Sequence, residues 1–65
     1  MPSQKDFYLS AQALIQQHGD KAEDYANKMM EEFIDKGDVP GASTWLAIGA
    51  AINDLRAKDA QGDLN

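Results

Sequence analysis

Two stretches of helical hydrophobic spacing, separated by a glycine- and proline-containing break at 37–41, constrain the fold of this chain more than any other feature. In both stretches apolar residues recur every three or four positions, which is the spacing of one face of an α-helix. The first comprises Ala22, Tyr25, Ala26, Met29, Met30, Phe33 and Ile34. The second comprises Ala42, Trp45, Ile48, Gly49, Ile52 and Leu55. Because the chain has only 65 residues, these two faces must supply most of its core.

A third apolar face precedes these two and has the same spacing. It comprises Phe7, Ala11, Leu14, Ile15 and His18. Gly19 and Gly37 are each placed to end a helix in a left-handed conformation, where glycine has no Cβ to clash. Asp20 and Asp38 follow them directly, and their carboxylates are expected to cap the next helices. Ser3 is the expected cap of the first helix.

The sequence predicts an all-α fold, a small three-helix bundle that forms a single helical domain over residues 1–65. We expect helices at about 4–18, 21–36 and 41–58, and a flexible tail at about 59–65. The first two helices are expected to pack side by side because the connection between them is short. Gly49 inside the third helix costs about 1 kcal/mol relative to alanine. We expect a close approach by a neighbouring helix or by the Trp45 ring to compensate.

The composition of the chain excludes several classes of protein. The absence of cysteine excludes disulfides, thiolate metal sites and cysteine nucleophiles. No apolar run approaches the ~20 residues that span a bilayer, and no signal peptide is visible, so we expect a cytoplasmic protein. Eleven acidic and six basic residues give a net charge of -5. Such an acidic surface disfavours nucleic acid and anionic membranes as partners.

Groups that could carry catalysis or bind a metal are few. His18 is the single histidine of the chain, but its position in the last turn of a helix fits an interaction with the carbonyl end of that helix. The acid pairs lack the Glu-x-x-His partners of a di-metal bundle and the ligand series of an EF-hand. We therefore expect no enzymatic activity, no catalytic residue, no cofactor and no metal site.

Two pairs of adjacent apolar residues indicate an interface. Met29 precedes Met30 and Trp45 precedes Leu46, so both members of a pair cannot face the core. Met30 and Leu46 are expected at the edges of their stripes, where a second chain could cover them. An acidic face made of Glu31, Glu32 and Asp35 adjoins them. The leading hypothesis is a non-enzymatic protein-interaction module, either a homodimer or a regulator of a protein partner.

Other functions are consistent with parts of the sequence. The acidic helix could imitate a phosphate backbone, which would make the chain a mimic or inhibitor of a nucleic-acid-binding protein. A small enzyme or a metal carrier that uses His18 is a further alternative. A helix-turn-helix DNA reader is disfavoured, because the bases of the third helix, Arg56 and Lys58, come late in it.

Four short motifs carry a family resemblance: A-L-I-x-x-H-G at 13–19, Y-A at 25–26, G-D-x-x-G at 37–41 and W-x-x-I-x-x-A-I-x-x-L at 45–55. In this pattern the chain resembles a group of short, uncharacterised bacterial proteins. The resemblance covers about residues 11–56. It implies a small all-helical domain of unknown function, with no catalytic or binding residues to transfer.

Overall fold

A computed structural model describes residues 4–63 of the chain, with side chains described over residues 4–58. Within this range the chain is helical apart from short connections and contains no strand. The elements are α1 (Gln4–His18), a turn of 3-10 helix (Gly19–Lys21), α2 (Ala22–Asp35) and α3 (Val39–Asp63). The predicted all-α class is therefore confirmed for the described part of the chain.

The helices α2 and α3 form an antiparallel hairpin. A Cβ built on Gly49 would lie 3.7 Å from Cβ of Ala26, and one built on Gly41 would lie 2.6 Å from Cδ1 of Phe33. Residues late in α2 therefore meet residues early in α3. α2 and α3 share the most extensive contact of any two elements, α1 lies chiefly against α3, and α1 contacts α2 least. The expected side-by-side packing of the first two helices is thus a minor part of the fold.

The core of the protein is built mainly from small side chains. Its buried residues are Ala11, Ala22, Ala26, Ala42, Ile48, Ala51 and Ile52. Among the side chains described, Ile52 is the one large side chain that is fully buried. Larger residues pack around this cluster and stay partly exposed: Phe7, Tyr8, Leu14, Ile15, Trp45 and Leu55. Alanines at the contact allow close helix axes, which leaves the bulky side chains at the margins of the seam.

The turn between α2 and α3 forms as the sequence predicts. Gly37 has a φ of 77°, and its N–H donates to the Ile34 carbonyl at 2.9 Å. The Asp38 N–H donates to the Phe33 carbonyl, also at 2.9 Å. These two bonds make a Schellman motif, which satisfies the last carbonyls of α2. Asp38 then caps α3, since its Oδ1 accepts a hydrogen bond from the Gly41 N–H at 3.0 Å.

The other expected cap is wrong. Gly19 does adopt a left-handed φ of 57°, but Asp20 lies inside the 3-10 turn. The residue that precedes α2 is Lys21, and it makes no side-chain capping bond. The extra turn explains the difference, because the Ala22 N–H donates to the Gly19 carbonyl and needs no carboxylate. α2 consequently runs over Ala22–Asp35, one residue shorter at each end than predicted.

α3 is longer than predicted at both ends. It begins at Val39 because Asp38 caps it there and because Pro40 suits the first helical turn. It continues to Asp63 through a segment containing good helix formers, so the expected tail at 59–65 is helical as far as Asp63. The last two residues of that tail, and Ser3 with its expected cap, lie outside the described residues.

The close approach expected at Gly49 occurs instead at Gly41. A Cβ on Gly49 would make an ordinary van der Waals contact with Ala26. A Cβ on Gly41 would overlap the Phe33 ring and lie 2.9 Å from Oδ2 of Asp38. The end of α2 therefore packs onto the backbone of the first turn of α3, and any side chain at 41 would have to displace the Phe33 ring or the Asp38 carboxylate.

Candidate functional site

Four large apolar side chains are more than half exposed within the described residues. Leu9 on α1 is 54% exposed, Ile34 at the end of α2 is 58% exposed, Val39 at the start of α3 is 70% exposed and Leu46 is 61% exposed. Ile34 belongs to the predicted core stripe, so its exposure corrects that expectation. The stripe of α2 is wider than the seam with α3, and Ile34 lies at its edge.

Three of these side chains share one side of the hairpin with Met30. Each residue of an α-helix is rotated by about 100° from the one before it. Relative to Ala26 in the seam, Met30 is rotated by about 40° and Ile34 by about 80°. Relative to Gly49, which meets Ala26, Leu46 is rotated by about 60° and Val39 by about 80°. Because the two helices are antiparallel, rotations of the same sign lead to the same side of the seam.

We call this surface the turn-end face, and it consists of Met30, Ile34, Val39 and Leu46. The contacts of Ala26 with Gly49 and of Phe33 with Gly41 set the register of the hairpin. In that register Met30 lies level with Leu46, and Ile34 lies near the level of Val39. Both predicted apolar interface residues, Met30 and Leu46, are thus brought together. Met30 is half-buried and Leu46 is exposed.

The first helix meets α3 beyond this face. The Tyr8 hydroxyl donates a hydrogen bond to Oδ2 of Asp54. Gln4, Phe7 and Tyr8 line a groove of about 470 Å³ with α3 residues that lie between Ala47 and Ala57. Val39 and Leu46 both precede that segment of α3. At the turn end of the hairpin, Val39 and Leu46 are left exposed.

The predicted acidic residues lie on the outer side of α2, away from its seam with α3. Relative to Ala26, Glu31 is rotated by about 140° and Asp35 by about 180°, so Glu31 borders the turn-end face and Asp35 lies behind it. Glu32 is rotated by about 120° in the opposite sense and faces the other flank. All three side chains are exposed. The acidic face expected from the sequence therefore lies on the outer side of α2, with Asp35 three or four residues from each glutamate, and only its Glu31 edge adjoins the turn-end face.

Basic side chains of the hairpin lie away from the turn-end face. Lys21 and Lys28 line a groove of about 450 Å³ on the other flank of α2, together with His18, Asp24, Tyr25, Met29 and Glu32. The Lys36 Nζ stands 5.5 Å from the centroid of the Phe33 ring. Arg56 pairs with Asp20 at 3.5 Å near the opposite end of the hairpin. Lys21 and Lys28 therefore share the far flank with Asp24 and Glu32, whereas Glu31 is the charged residue of α2 that borders the turn-end face.

The structure gives His18 a packing role. Its ring stacks on Tyr25 with a centroid distance of 4.5 Å and an angle of 33° between the planes. Tyr25 in turn meets Trp45 edge to face, with centroids 5.8 Å apart and an angle of 80°. His18 lies in the last turn of α1, as predicted, and is exposed. The stack joins the end of α1 to the α2–α3 seam.

A polar cluster between α1 and α3 was not visible in the sequence. The Asp54 carboxylate accepts the Tyr8 hydrogen bond and lies 3.8 Å from Nζ of Lys58. The same Nζ is 5.7 Å from the centroid of the Tyr8 ring. The hydrogen bond to Asp54, followed by desolvation and by the carboxylate charge, raises the pKa of Tyr8 above its usual value. Spacing within one helix could not reveal a pair that is 46 residues apart.

The residues that the structure describes hold neither a cluster of metal-binding side chains nor a membrane-spanning helix. Those residues contain no group of three or more histidine, cysteine, aspartate or glutamate side chains that could hold a metal ion. None of their helices has both the length and the apolar character needed to cross a membrane. The resemblance to short bacterial helical proteins stays a prediction. No protein-family model, curated protein or solved structure matches this chain.

Proposed function

We propose that this chain is a non-enzymatic, small helical protein-interaction module of the cytoplasm, whose three helices form a bundle. Its interface is the turn-end face, and it acts through homodimerisation or by regulating a protein partner. The observation that carries the proposal is the exposure of Ile34, Val39 and Leu46 on one side of the hairpin, level with the half-buried Met30. Grouped exposed apolar side chains with a polar border are typical of interaction sites.

The proposal that the module is non-enzymatic is supported by the role of His18. A general base needs hydrogen-bond reach to a substrate proton within a defined pocket. The imidazole instead packs on the Tyr25 ring, at the edge of a groove that is shared with oppositely charged side chains. Ring stacking accounts for this residue without any chemistry.

Burial of the apolar side chains of the turn-end face would contribute only modestly to the free energy of binding. Covering a leucine, isoleucine or valine side chain completely contributes about 1.5–3 kcal/mol. Because Ile34, Val39 and Leu46 are each about 60–70% exposed, covering all three contributes about 3–6 kcal/mol. Association costs about 4–15 kcal/mol in lost freedom, so these side chains alone do not hold a partner. Further contacts must add to the apolar anchor.

A differential capture experiment tests the proposed function. Wild-type protein, Leu46→Glu and Leu9→Glu are immobilised and exposed to native lysate, and retained proteins are quantified by mass spectrometry. Leu9 is the matched control, since it is an exposed leucine on α1 outside the turn-end face. We expect proteins that wild type and the Leu9 variant retain equally and that the Leu46 variant loses.

Sedimentation of the same three proteins tests the homodimer. Self-association that disappears in Leu46→Glu and persists in Leu9→Glu supports an interface between two copies. Monomeric behaviour of all three, together with identical captured proteins, contradicts the proposed function.

A further inference from the structure

We infer that the turn-end face receives an amphipathic helix of a partner protein, with basic residues beside the apolar stripe of that helix. The inference rests on the proposed function and names the chemistry of the partner. It depends on two properties of the face, which are its length along the hairpin and the sign of the charges around it.

The dimensions of the face suit a helix. Val39 and Leu46 are seven residues apart on α3, which corresponds to about 10 Å along the helix axis. Met30 and Ile34 run beside them on α2, about 6 Å apart. A partner helix that lies along the seam presents side chains at i, i+3 or i+4, and i+7 over the same 10 Å or so. Those side chains can reach the two ends of the face and its middle.

The charges around the face select a basic partner. Glu31 borders the face on α2, Asp35 lies next beyond it, and Asp38 lies in the adjoining turn. On the α3 side the exposed neighbours are uncharged, namely Ser43 and Ala50. The lysines of the 3-10 turn and of α2 line the groove on the opposite flank. A ligand on the turn-end face therefore meets carboxylates with no cation of α2 on that flank, and Lys36 of the adjoining turn stands over the Phe33 ring in the seam.

The same charges disfavour a second copy as the occupant. A symmetric dimer through this face would bring the acidic border of one copy towards that of the other. Like charges set against each other across an interface are costly, whereas lysine or arginine beside an apolar stripe would complement them. The apolar contacts alone do not offset the cost of association, so complementary charge is the additional contact that a partner can supply.

A peptide-display selection with defined probes tests the inference. The library consists of helical peptides of about 18 residues with leucine at i, i+3, i+4 and i+7. The remaining positions are randomised among lysine, glutamate and glutamine. We expect enriched peptides to carry a net positive charge, with lysines next to the leucine stripe.

Two pairs of matched variants locate the binding. Leu46→Glu should lower the affinity for an enriched peptide by about tenfold or more, while Leu9→Glu should change that affinity by less than about twofold. Glu31→Lys and Glu32→Lys change the net charge of the protein equally, but only Glu31 borders the face. We expect Glu31→Lys to lower the affinity several-fold more than Glu32→Lys, and added salt to reduce that difference.

The outcomes separate this inference from the proposed function. Enriched peptides that are neutral or acidic, yet lost with Leu46→Glu, overturn the inference and leave the proposed function standing. Self-association through the face also overturns it, since a second copy is then the occupant. Peptide binding that is indifferent to Leu46→Glu in a monomeric protein contradicts both.

Discussion

Gly41 and Gly49, both inside α3, differ in what surrounds them, and this difference predicts opposite effects of the same substitution. Gly49→Ala adds a methyl at ordinary contact distance from Ala26 and removes the entropic penalty of glycine in a helix. We expect it to stabilise the protein by up to about 1 kcal/mol. Gly41→Ala forces apart the Phe33 ring and the Asp38 carboxylate, which caps the helix. We expect it to destabilise the protein by about 1 kcal/mol.

Chemical denaturation followed by circular dichroism measures both changes, with each variant serving as the control for the other. A shift of both midpoints in the same direction would show that helix propensity alone governs these positions. That result would contradict a steric role for the packing of Phe33 against the start of α3.

At the scale of the elements, Tyr8 and Asp54 fasten α1 to α3 and make this contact sensitive to alkaline pH. The folded protein holds the Tyr8 proton more tightly than the unfolded chain, because the native pKa of Tyr8 lies above the ordinary value for a tyrosine. Stability from this bond is therefore complete below about pH 10 and declines as the pH rises through the raised native pKa. We expect Tyr8→Phe to abolish this alkaline decline.

Absorbance titration isolates the phenol concerned. The chain has two tyrosines, so the Tyr25→Phe protein reports Tyr8 alone. We expect that phenol to ionise above pH 10 in the folded protein and at its ordinary value in denaturant. Ionisation of Tyr8 at the same pH in the folded and denatured protein would contradict the claim that its hydrogen bond to Asp54 stabilises the contact of α1 with α3.

The sequence predicts the helices better than their arrangement, for physical reasons visible in particular residues. Periodicity predicts α2, and the glycine at 37 with Asp38 after it predicts the turn, because both signals are local. The prediction that Asp20 caps α2 is wrong because no local sequence signal indicates the 3-10 turn. The packing of α1 on α3 includes the bond between Tyr8 and Asp54, which are far apart in the chain. No spacing rule connects them.

The candidate site is predictable in part for the same reason. Two adjacent apolar residues on one helix cannot both face inward, and this rule identifies Met30 and Leu46. Ile34 and Val39 are missed as exposed residues because their position depends on how far the seam extends towards the turn. Helical rotation alone separates Glu31 from Glu32. Which of the two borders the exposed apolar side of the hairpin depends on how α2 packs against α3.

At the scale of the whole molecule, a core made largely of alanine leaves little stability in reserve. Ile52 is the one fully buried large side chain among those described, so Ile52→Ala should cost about 2–5 kcal/mol. A small domain has few kcal/mol to lose, so we expect this variant to be largely unfolded at room temperature. Leu46→Ala should change the unfolding free energy by less than about 0.5 kcal/mol, since the side chain is exposed.

Thermal unfolding of the two variants distinguishes core from interface. A large loss of stability in Leu46→Ala would show that the turn-end face stabilises the fold and is not a free binding surface. A small loss in Ile52→Ala would show that the alanine-rich seam is not the core.

The central claim is that the turn-end face is the surface through which this protein binds. Titration of isotope-labelled protein with an enriched basic peptide, followed by amide NMR, tests it most directly. We predict that the largest chemical-shift changes fall between Met30 and Leu46 on both sides of the turn, with little change at Leu9 and its neighbours on α1. Changes centred on α1 or on the groove beside His18, at saturating peptide, would contradict the account.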